Sequence, residues 1–442
     1  MQWFPAKHLT PTRYLAVVNV FTSGLGFVQG LIVLRSLGPE LVGVIAVIGG
    51  INATVLNFLD VRLTDLAGKL YYETDGRDEN AQRGHRASVL LLCVGGNALI
   101  SLFLAAGGWM LCVLLVHKFA DGAVEWWWLM VQPLVLGLNN IGNTVSFLQR
   151  FSERFYLFGT ARLLIQIISI GVFITTFLLV KGINGYYLAA LVGGTLSLSC
   201  SGLVTVYVWA QKDRLPIFST AYGTAVASYR RHLKFLFFGN LLGYTKLLHR
   251  AADTLVVGWF TDDRTTGLYK FARSLTDSLY ILFDAMNQVY QPKFLSFIAR
   301  AQTLEYRNLA SRILATCALF TASVVLTEMF LLRSFLEFVF GARYHGSETA
   351  SILMTVPFFF VAGVSTWMWP LFIHSGRLGR FTAAAALAAL VQCGSTIVLL
   401  VFVEKVPAMA GIGYLLYYLA LYPIGYFMVS RRFPEHVPQL SR

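Results

Sequence analysis

The sequence predicts an all-α, polytopic membrane protein with about twelve transmembrane helices. Of its 442 residues, 56% are hydrophobic and 13% are charged, whereas a soluble domain is about one quarter charged. Apolar stretches of about twenty residues recur along the whole chain, and at that length a helix crosses hydrocarbon with its backbone hydrogen bonds satisfied. The basic residues, in addition, fall mainly on one side of these stretches.

The apolar stretches place the spans in order along the chain. The first, beginning near Tyr14, is too long for the core of a signal peptide, so we interpret it as an uncleaved span. Aromatic residues suited to the membrane interface gather at several predicted ends: Trp126 to Trp128, Tyr186, Tyr187, Tyr417 and Tyr418. The predicted spans cover residues 14–35, 41–63, 87–116, 126–149, 155–180, 186–210, 235–260, 266–291, 309–339, 348–373, 379–403 and 408–429.

The distribution of Lys and Arg predicts the orientation of the chain. With the N-terminus inside, most basic residues near span ends fall in cytoplasmic segments, which places both termini in the cytoplasm. The opposite loops hold few basic residues: Arg35, Lys118, Lys181, Arg264, Arg343 and Lys405. The net charge of +13 is therefore mainly a topology signal, and a nucleic-acid partner is not expected.

The sequence contains no recognisable catalytic or cofactor motif. Its five cysteines lie in apolar stretches without metal-ligand spacing, and its eight histidines form no HExxH pattern. A Walker A loop, a nucleophile elbow and a dinucleotide fingerprint are all missing from the sequence. We therefore predict a protein that is not an enzyme and uses no cofactor and no metal ion.

A charged connection in the middle of the chain suggests two halves. We predict an N-terminal six-helix lobe at 1–210, a cytoplasmic connector at 211–234 and a C-terminal six-helix lobe with a short tail at 235–442. A weak internal repeat supports the division. A shift of 224 residues aligns the following pairs: Gly43 with Gly267, Asp60 with Asp284, and Lys69 with Lys293.

Two segments resemble a known transporter superfamily. RSLGPELVGVIAVIGGINATVLNFLD, at 35–60, is similar to the outer turn and second span of the MOP superfamily, which includes MATE exporters, the lipid II flippase and Wzx-type polysaccharide flippases. TTGLYKFARSLTDSLYILFDAMNQVYQPKFLSFIAR, at 265–300, resembles the matching segment of the second half. The LGPE and GLY...P patterns favour the polysaccharide-flippase branch, although the chain lacks the additional pair of spans of the lipid II flippase.

The resemblance implies two pseudo-symmetric lobes around a central cavity lined by spans 1, 2, 7 and 8, and transport by alternating access. It implies a flippase of the bacterial inner membrane that moves a polyprenyl-diphosphate-linked oligosaccharide for surface-polysaccharide assembly. The expected partners are that lipid-linked substrate, membrane lipid and polysaccharide-assembly proteins. One alternative is a MATE-like exporter coupled to protons or sodium. The other is a membrane-embedded polymerase or glycosyltransferase, which the short outer loops disfavour.

Charged side chains cluster in the spans that the resemblance assigns to the cavity. In span 7 three charged residues share one helical face: Lys246, Arg250 and Asp253. Span 8 carries a similar stripe of Lys270, Arg273, Asp277 and Asp284. Such groups are costly in hydrocarbon and usually face a wet cavity or pair with each other. We predict that basic residues bind the anionic diphosphate: Lys246, Arg250, Lys270, Arg273 and Arg62.

Ion pairing between spans 7 and 8 is the alternative for these charges. Because the two spans run antiparallel, residues at equal depth are Arg250 with Asp277 and Asp253 with Arg273. We predict gating or ion coupling for four acidic residues, with helix capping or local pairing as the simpler alternative: Asp60, Asp253, Asp277 and Asp284. Further polar residues are predicted to contact sugar, or else to hold helices together: Asn19, Gln29, Asn57, Asn140, Asn143 and Tyr280.

Overall fold

The structure is a computed structural model of the full chain. It describes residues 11–59, 63–72, 79–119, 126–150, 155–212, 222–232, 241, 244, 249, 252–300, 302–374 and 378–430. Asp60, Arg62, Lys246 and Arg250 lie outside the described residues, and the side chain of Asp284 is likewise not described.

The elements of the described residues are helices, which confirms the predicted all-α fold. In the first part of the chain they are α1 (Pro11–Leu59), α2 (Leu63–Tyr72), α3 (Glu79–Phe119), α4 (Trp126–Arg150), α5 (Phe155–Val180), α6 (Gly182–Lys212) and α7 (Tyr222–Arg231). In the second part they are α8 (Ala252–Phe260), α9 (Asp263–Ala299), α10 (Thr303–Thr327), α11 (Arg333–Phe340), α12 (Glu348–Thr355), α13 (Ser365–His374), α14 (Leu378–Phe402) and α15 (Pro407–Ser430). A short π-helical turn at Glu328–Leu332 joins α10 to α11, and a second one at Phe359–Val364 precedes α13.

Within the described ranges, eight helical segments are long and apolar enough to cross a membrane. The first of these, Val17–Leu59, covers two predicted spans. Helices α4 and α9 also coincide with predicted spans, but polar and charged side chains make them less apolar. The chain is therefore a multi-pass membrane protein.

A sharp corner divides α1 between the two spans that it contains. Gly38 has φ 79° and ψ 167°, and Pro39 follows it. Glycine adopts a positive φ without a steric penalty, and proline suits the first turn of the helix that follows. The LGPE segment therefore ends one span and starts the next without a loop.

The chain forms two compact units. The first holds residues 1–29 and 48–244, and the second holds 30–47 and 245–442. In the first unit α3 packs on α4 and α5 packs on α6, whereas in the second α14 and α15 pair and α12 packs on α15. The sequence-based division assigned 30–47 to the N-terminal lobe; in the structure this corner groups with the C-terminal half.

The corner is held in the second unit by a reciprocal contact between helix starts. A Cβ atom on Gly43 would overlap the carbonyl oxygen of Asp263, and one on Gly267 would overlap that of Pro39. These residues are related by the same offset of 224 positions that aligns the two halves. The internal repeat therefore corresponds to a close backbone crossing, which only glycine permits.

The predicted connector contains a helix that packs on the first unit. Ala225 of α7 is fully buried in a cluster with Leu66, Ala67 and Cys93, and the Tyr229 hydroxyl donates to the Val89 carbonyl at 3.1 Å. The connector therefore has an apolar face that packs against α2 and α3.

Candidate functional site: a buried polar network

The second unit contains a helical hairpin that brings the charges of two predicted spans together. Helix α8 ends at Phe260 and α9 begins at Asp263. Asp262 caps α9, since its carboxylate accepts from the Thr265 backbone N–H at 2.9 Å. Because the turn is this tight, residues at equal depth on the two helices face each other.

Asp253 and Arg273 form a buried ion pair across this hairpin. Arg273 Nη1 lies 2.8 Å from Asp253 Oδ2, and the two side chains are 5% and 3% exposed. Arg273 Nε also donates to Asp277 Oδ1 at 3.2 Å, although the Asp277 side chain is 50% exposed. The alternative in which Asp253 pairs with Arg273 is thus present in the structure.

The Asp253 carboxylate has a partner on each oxygen. The Tyr269 hydroxyl donates to Oδ2 at 2.8 Å, and the Thr254 backbone N–H donates to Oδ1 at 2.7 Å. Removing one member of such a pair leaves a buried charge uncompensated, which costs about 3–5 kcal/mol. Asp253 and Arg273 are therefore held in place by their neighbours, and Arg273 has a structural role in this conformation.

Aromatic hydroxyls extend the network from Arg273 to α15. The Arg273 guanidinium carbon lies 4.4 Å from the centre of the Tyr414 ring, a cation–π geometry. The Tyr414 hydroxyl lies 2.9 Å from the Tyr280 hydroxyl and 3.4 Å from the Tyr418 hydroxyl. Tyr280, one of the predicted polar lining residues, is thus joined to the ion pair through a single ring.

His249 stands at the other end of these hydroxyls. Its Nε2 lies 2.7 Å from the Tyr418 hydroxyl, and its Nδ1 lies 2.7 Å from Gln392 Oε1. Its ring stacks on Tyr417 with 3.7 Å between centres and 7° between planes. At 4% exposure His249 is a buried, fully partnered imidazole.

Lys270 lies about one helical turn before Arg273 on α9, and its surroundings are different. Its side chain is partly exposed, and among the described residues it has no carboxylate within ion-pair distance. Of the predicted diphosphate contacts, Lys270 is therefore the described cation whose charge is available to a ligand.

Two of the six predicted sugar contacts, Asn140 and Asn19, join neighbouring helices. Asn140 donates to the Ser101 hydroxyl at 3.1 Å between α4 and α3, and the Asn19 amide oxygen accepts from Arg162 at 2.8 Å between α1 and α5. Asn57 donates to the Ala53 carbonyl of its own helix at 2.7 Å. Gln29 is partly exposed and Asn143 is exposed.

Sequence reasoning did not assign the following residues of the network to the site: His249, Tyr269, Gln392, Tyr414, Tyr417 and Tyr418. Tyr417 and Tyr418 were predicted to lie in an interfacial belt, but they are only 5% and 7% exposed. Trp128 and Tyr187, also assigned to that belt, are buried at 5% and 0%. The spacing of Tyr414 and Tyr418, four residues apart on one helical face, is the signal that could have indicated an inward stripe.

The family of polysaccharide biosynthesis proteins matches residues 94–349, more than half of the chain. The chain belongs to this family. Together with the solved structures that it resembles, the match confirms membership in the MOP superfamily, on its polysaccharide-flippase branch. A search of curated protein sequences finds no significant match.

Solved structures of MOP transporters share the fold of this polysaccharide-family chain. The lipid II flippase MurJ, in an inward closed conformation, matches with a TM-score of 0.65 at 16% identity, covering 94% of this chain and 87% of MurJ. The eukaryotic MATE transporter AtDTX14 matches with a TM-score of 0.63 at 13% identity, covering 95% of each chain. A MOP transporter from Pyrococcus furiosus, described as having a binding pocket of reversed polarity, matches with a TM-score of 0.60 at 13% identity, covering 95% of this chain and 96% of that one.

Proposed function

We propose that this member of the polysaccharide biosynthesis family is a flippase that moves a polyprenyl-diphosphate-linked oligosaccharide across the bacterial inner membrane by alternating access. The observation that carries the proposal is the family match over 94–349 on a fold similar to that of the lipid II flippase. A flippase of this kind supplies surface-polysaccharide assembly, and its partners are the lipid-linked substrate and the assembly proteins. It makes and breaks no covalent bond.

Charge in the second unit supports an anionic head group as the ligand. Lys270 presents an ammonium group without a carboxylate partner among the described residues, and a compact ammonium is a common phosphate contact. Arg273 positions the surrounding rings through Asp253 and Tyr414. Lys246, Arg250 and Arg62 remain proposed phosphate contacts outside the described residues. Tyr280 and the other predicted polar lining residues remain proposed sugar contacts.

The acidic residues divide into two groups. Asp253 is paired within the network, where it holds the fold, whereas the exposed Asp277 beside Arg273 remains a proposed gating residue. Asp60 and Asp284, equivalent by the internal repeat, remain proposed gating or coupling residues. The orientation with both termini in the cytoplasm follows from the positive-inside distribution and is part of the same proposal.

A deletion strain tests the function directly. Loss of the chain is expected to stop display of the surface polysaccharide and to leave lipid-linked repeat units on the cytoplasmic leaflet, where an impermeant glycosidase cannot reach them in intact cells. Expression of the wild-type chain restores display. Normal display together with outer-leaflet repeat units in the deletion strain would contradict a flippase role.

Lys270 variants test the proposed phosphate contact within that strain. Lys270→Gln is expected to lower polysaccharide display at least tenfold at equal protein level, and Lys270→Arg to retain most of it, because the charge is kept. Lys405→Gln is the matched control, since Lys405 is exposed between α14 and α15. Equal display in all three variants would exclude Lys270 from the binding site.

A MATE-like exporter is the second candidate, because MATE transporters share the fold at TM-scores of 0.63 and 0.61. It predicts that deletion sensitises cells to amphiphilic cationic drugs and leaves the polysaccharide unchanged. The flippase proposal predicts the opposite pattern, so a drug-susceptibility panel beside the display assay separates the two.

A further inference from the structure

We infer that His249 is a proton-binding site of the transport cycle, whose protonation state is passed to Tyr280 through the hydroxyls of Tyr418 and Tyr414. The inference builds on the proposed flippase and names its coupling ion. It gives the cycle a second cargo, a proton, at a side chain different from the four acidic residues predicted to serve coupling.

Asp253, one helical turn from His249, is already engaged by the ion pair. Asp253 receives hydrogen bonds or charge from Arg273, Tyr269 and Thr254 at 2.7 to 2.8 Å. Both oxygens of Asp253 are therefore committed to these donors. The neighbouring imidazole is a group of the described network that can gain or lose a proton.

The surroundings of His249 satisfy the hydrogen bonds of both its protonation states. A charged imidazolium has two N–H donors, and it finds Gln392 Oε1 and the Tyr418 oxygen, each at 2.7 Å. A neutral imidazole that keeps its proton on Nδ1 still donates to Gln392, and Nε2 then accepts from the Tyr418 hydroxyl. Neither state leaves a ring nitrogen unpaired, so the proton can be exchanged without losing a hydrogen bond at the ring.

His249 lies among adaptable neighbours. The described residues that contact it are Gln392 of α14 and Tyr414, Tyr417 and Tyr418 of α15. Beyond these contacts, the charged and titratable groups of the network are Asp253 of α8, Arg273 and Asp277 of α9, and Cys393 of α14. The Tyr417 ring lies flat on the imidazole, a geometry that favours a cation over the ring face. The Asp253–Arg273 pair carries opposite charges that largely cancel.

The protonation state of His249 sets the direction of the hydrogen bonds along the hydroxyls of Tyr418, Tyr414 and Tyr280. When His249 is neutral, Tyr418 donates to Nε2, and Tyr414 and Tyr280 can donate in turn toward it across 3.4 and 2.9 Å. When His249 is protonated, Nε2–H donates to Tyr418, so the hydroxyls can reverse. The Tyr280 hydrogen then turns toward an acceptor outside this chain, and a sugar or phosphate oxygen fits that role.

Histidine suits this task because its side chain exchanges a proton between about pH 5 and 8. The sequence offered no indication of it: His249 is not part of a metal pattern, and its partners are 143 and 169 residues away along the chain. Only the packing of α14 and α15 beside it creates the site.

The test is a titration by solid-state NMR of the full chain in phosphatidylethanolamine and phosphatidylglycerol vesicles, with ring-¹⁵N histidine and ring-¹³C tyrosine. We expect the histidine signal that is missing from the His249→Gln variant to change from neutral to protonated between pH 8 and 5, and the Tyr280 signal to shift with the same midpoint. His249→Gln or His249→Asn assigns the first signal and Tyr280→Phe the second. His345→Gln is the control, because His345 instead contacts Glu337 and Glu348.

Tyr418→Phe separates proton binding from transmission. In this variant the His249 signal is expected to titrate still, while the Tyr280 signal no longer follows pH. A His249 signal that keeps one form from pH 5 to 8 would overturn the proposal, as would a Tyr280 signal that ignores pH in the wild type. Because no substrate is used, this failure would leave the flippase proposal to be decided by the deletion strain.

Discussion

Two ion pairs in the second unit use the same chemistry in opposite surroundings. Asp253 and Arg273 are 3% and 5% exposed and 2.8 Å apart, whereas Glu40 and Arg264 are 55% and 51% exposed and 3.2 Å apart. Both join a residue of α9 to a neighbouring helix. Water screens the exposed pair, while the buried pair has only protein groups to compensate its charges.

This difference in burial separates the charges that hold the fold from those that are free to change partners. The Tyr269 hydroxyl donates to the buried pair, and Arg273 lies over the Tyr414 ring. The Tyr414 hydroxyl in turn contacts those of Tyr280 and Tyr418. The exposed pair lies beside the glycine crossing of Gly43 and Gly267, at the end of α9 that we predict to be outermost. We therefore expect the first region to resist substitution and the second to depend on backbone fit more than on charge.

Breaking the buried pair is expected to have the largest effect. Arg273→Leu leaves Asp253 charged and without its main partner, which costs about 3–5 kcal/mol. We expect a severalfold loss of protein from the membrane and a lower melting temperature of the remainder in detergent. Arg264→Leu is the matched control on the same helix. Equal levels of the two variants would show that the burial of Arg273 has no energetic consequence.

The glycine crossing is expected to be the next most sensitive feature. Gly267→Ala and Gly43→Ala each place a methyl group on a carbonyl oxygen of the opposing helix start, and overpacking typically costs about 1–3 kcal/mol. The two substitutions should lower the melting temperature by similar amounts, because the contact is reciprocal. Gly24→Ala is the control, since no atom lies within 4 Å of the added Cβ. An unchanged melting temperature in Gly267→Ala would contradict the close crossing of the two helix starts.

The uncharged hydrogen bond between Asn140 and Ser101 in the first unit is expected to contribute less to stability. Asn140→Ala removes one amide–hydroxyl bond to Ser101, worth about 1 kcal/mol, and we expect a small fall in thermal stability. Asn143→Ala, at an exposed position three residues on, should have no effect on stability. If Asn143→Ala instead blocks polysaccharide display at normal protein level, Asn143 contacts the sugar and Asn140 serves packing.

The exposed pair is expected to contribute least. Arg264→Gln or Glu40→Gln removes an interaction worth about 0–1 kcal/mol that salt screens further. The melting temperature should therefore change little, and any difference should vanish in high salt. A large, salt-resistant loss of stability would mean that this pair is more protected from water than its exposure indicates.

The sequence was sufficient for those features that depend on local geometry. Helical depth along an antiparallel hairpin paired Asp253 with Arg273, and the repeat aligned Gly43 with Gly267. Both arguments need only the rise of a helix and a shift along the chain. The orientation and the proposed phosphate contacts remain predictions.

The rest depends on packing between distant segments, which a single sequence does not encode in a readable pattern. His249 is brought to Gln392 and Tyr418 by the way α14 and α15 pack. Tyrosine near a span end is typical of an interfacial belt. Only the packing of distant residues around Tyr418 shows that it is buried. The helix in the connector was likewise hidden, because Ala225 and Tyr229 show their apolar partners only once α3 is in place.

Arg273 supports the buried network, and other residues meet the charge of the ligand. The most direct measurement compares Arg273→Met with the double variant Asp253→Asn/Arg273→Met, scoring protein level and polysaccharide display in the deletion strain. Replacing both members of a buried pair is often neutral, whereas replacing one is not. The account predicts that the single variant is lost from the membrane and that the double variant regains both protein and display. A double variant that is abundant but fails to display polysaccharide would contradict it and make Arg273 a substrate contact.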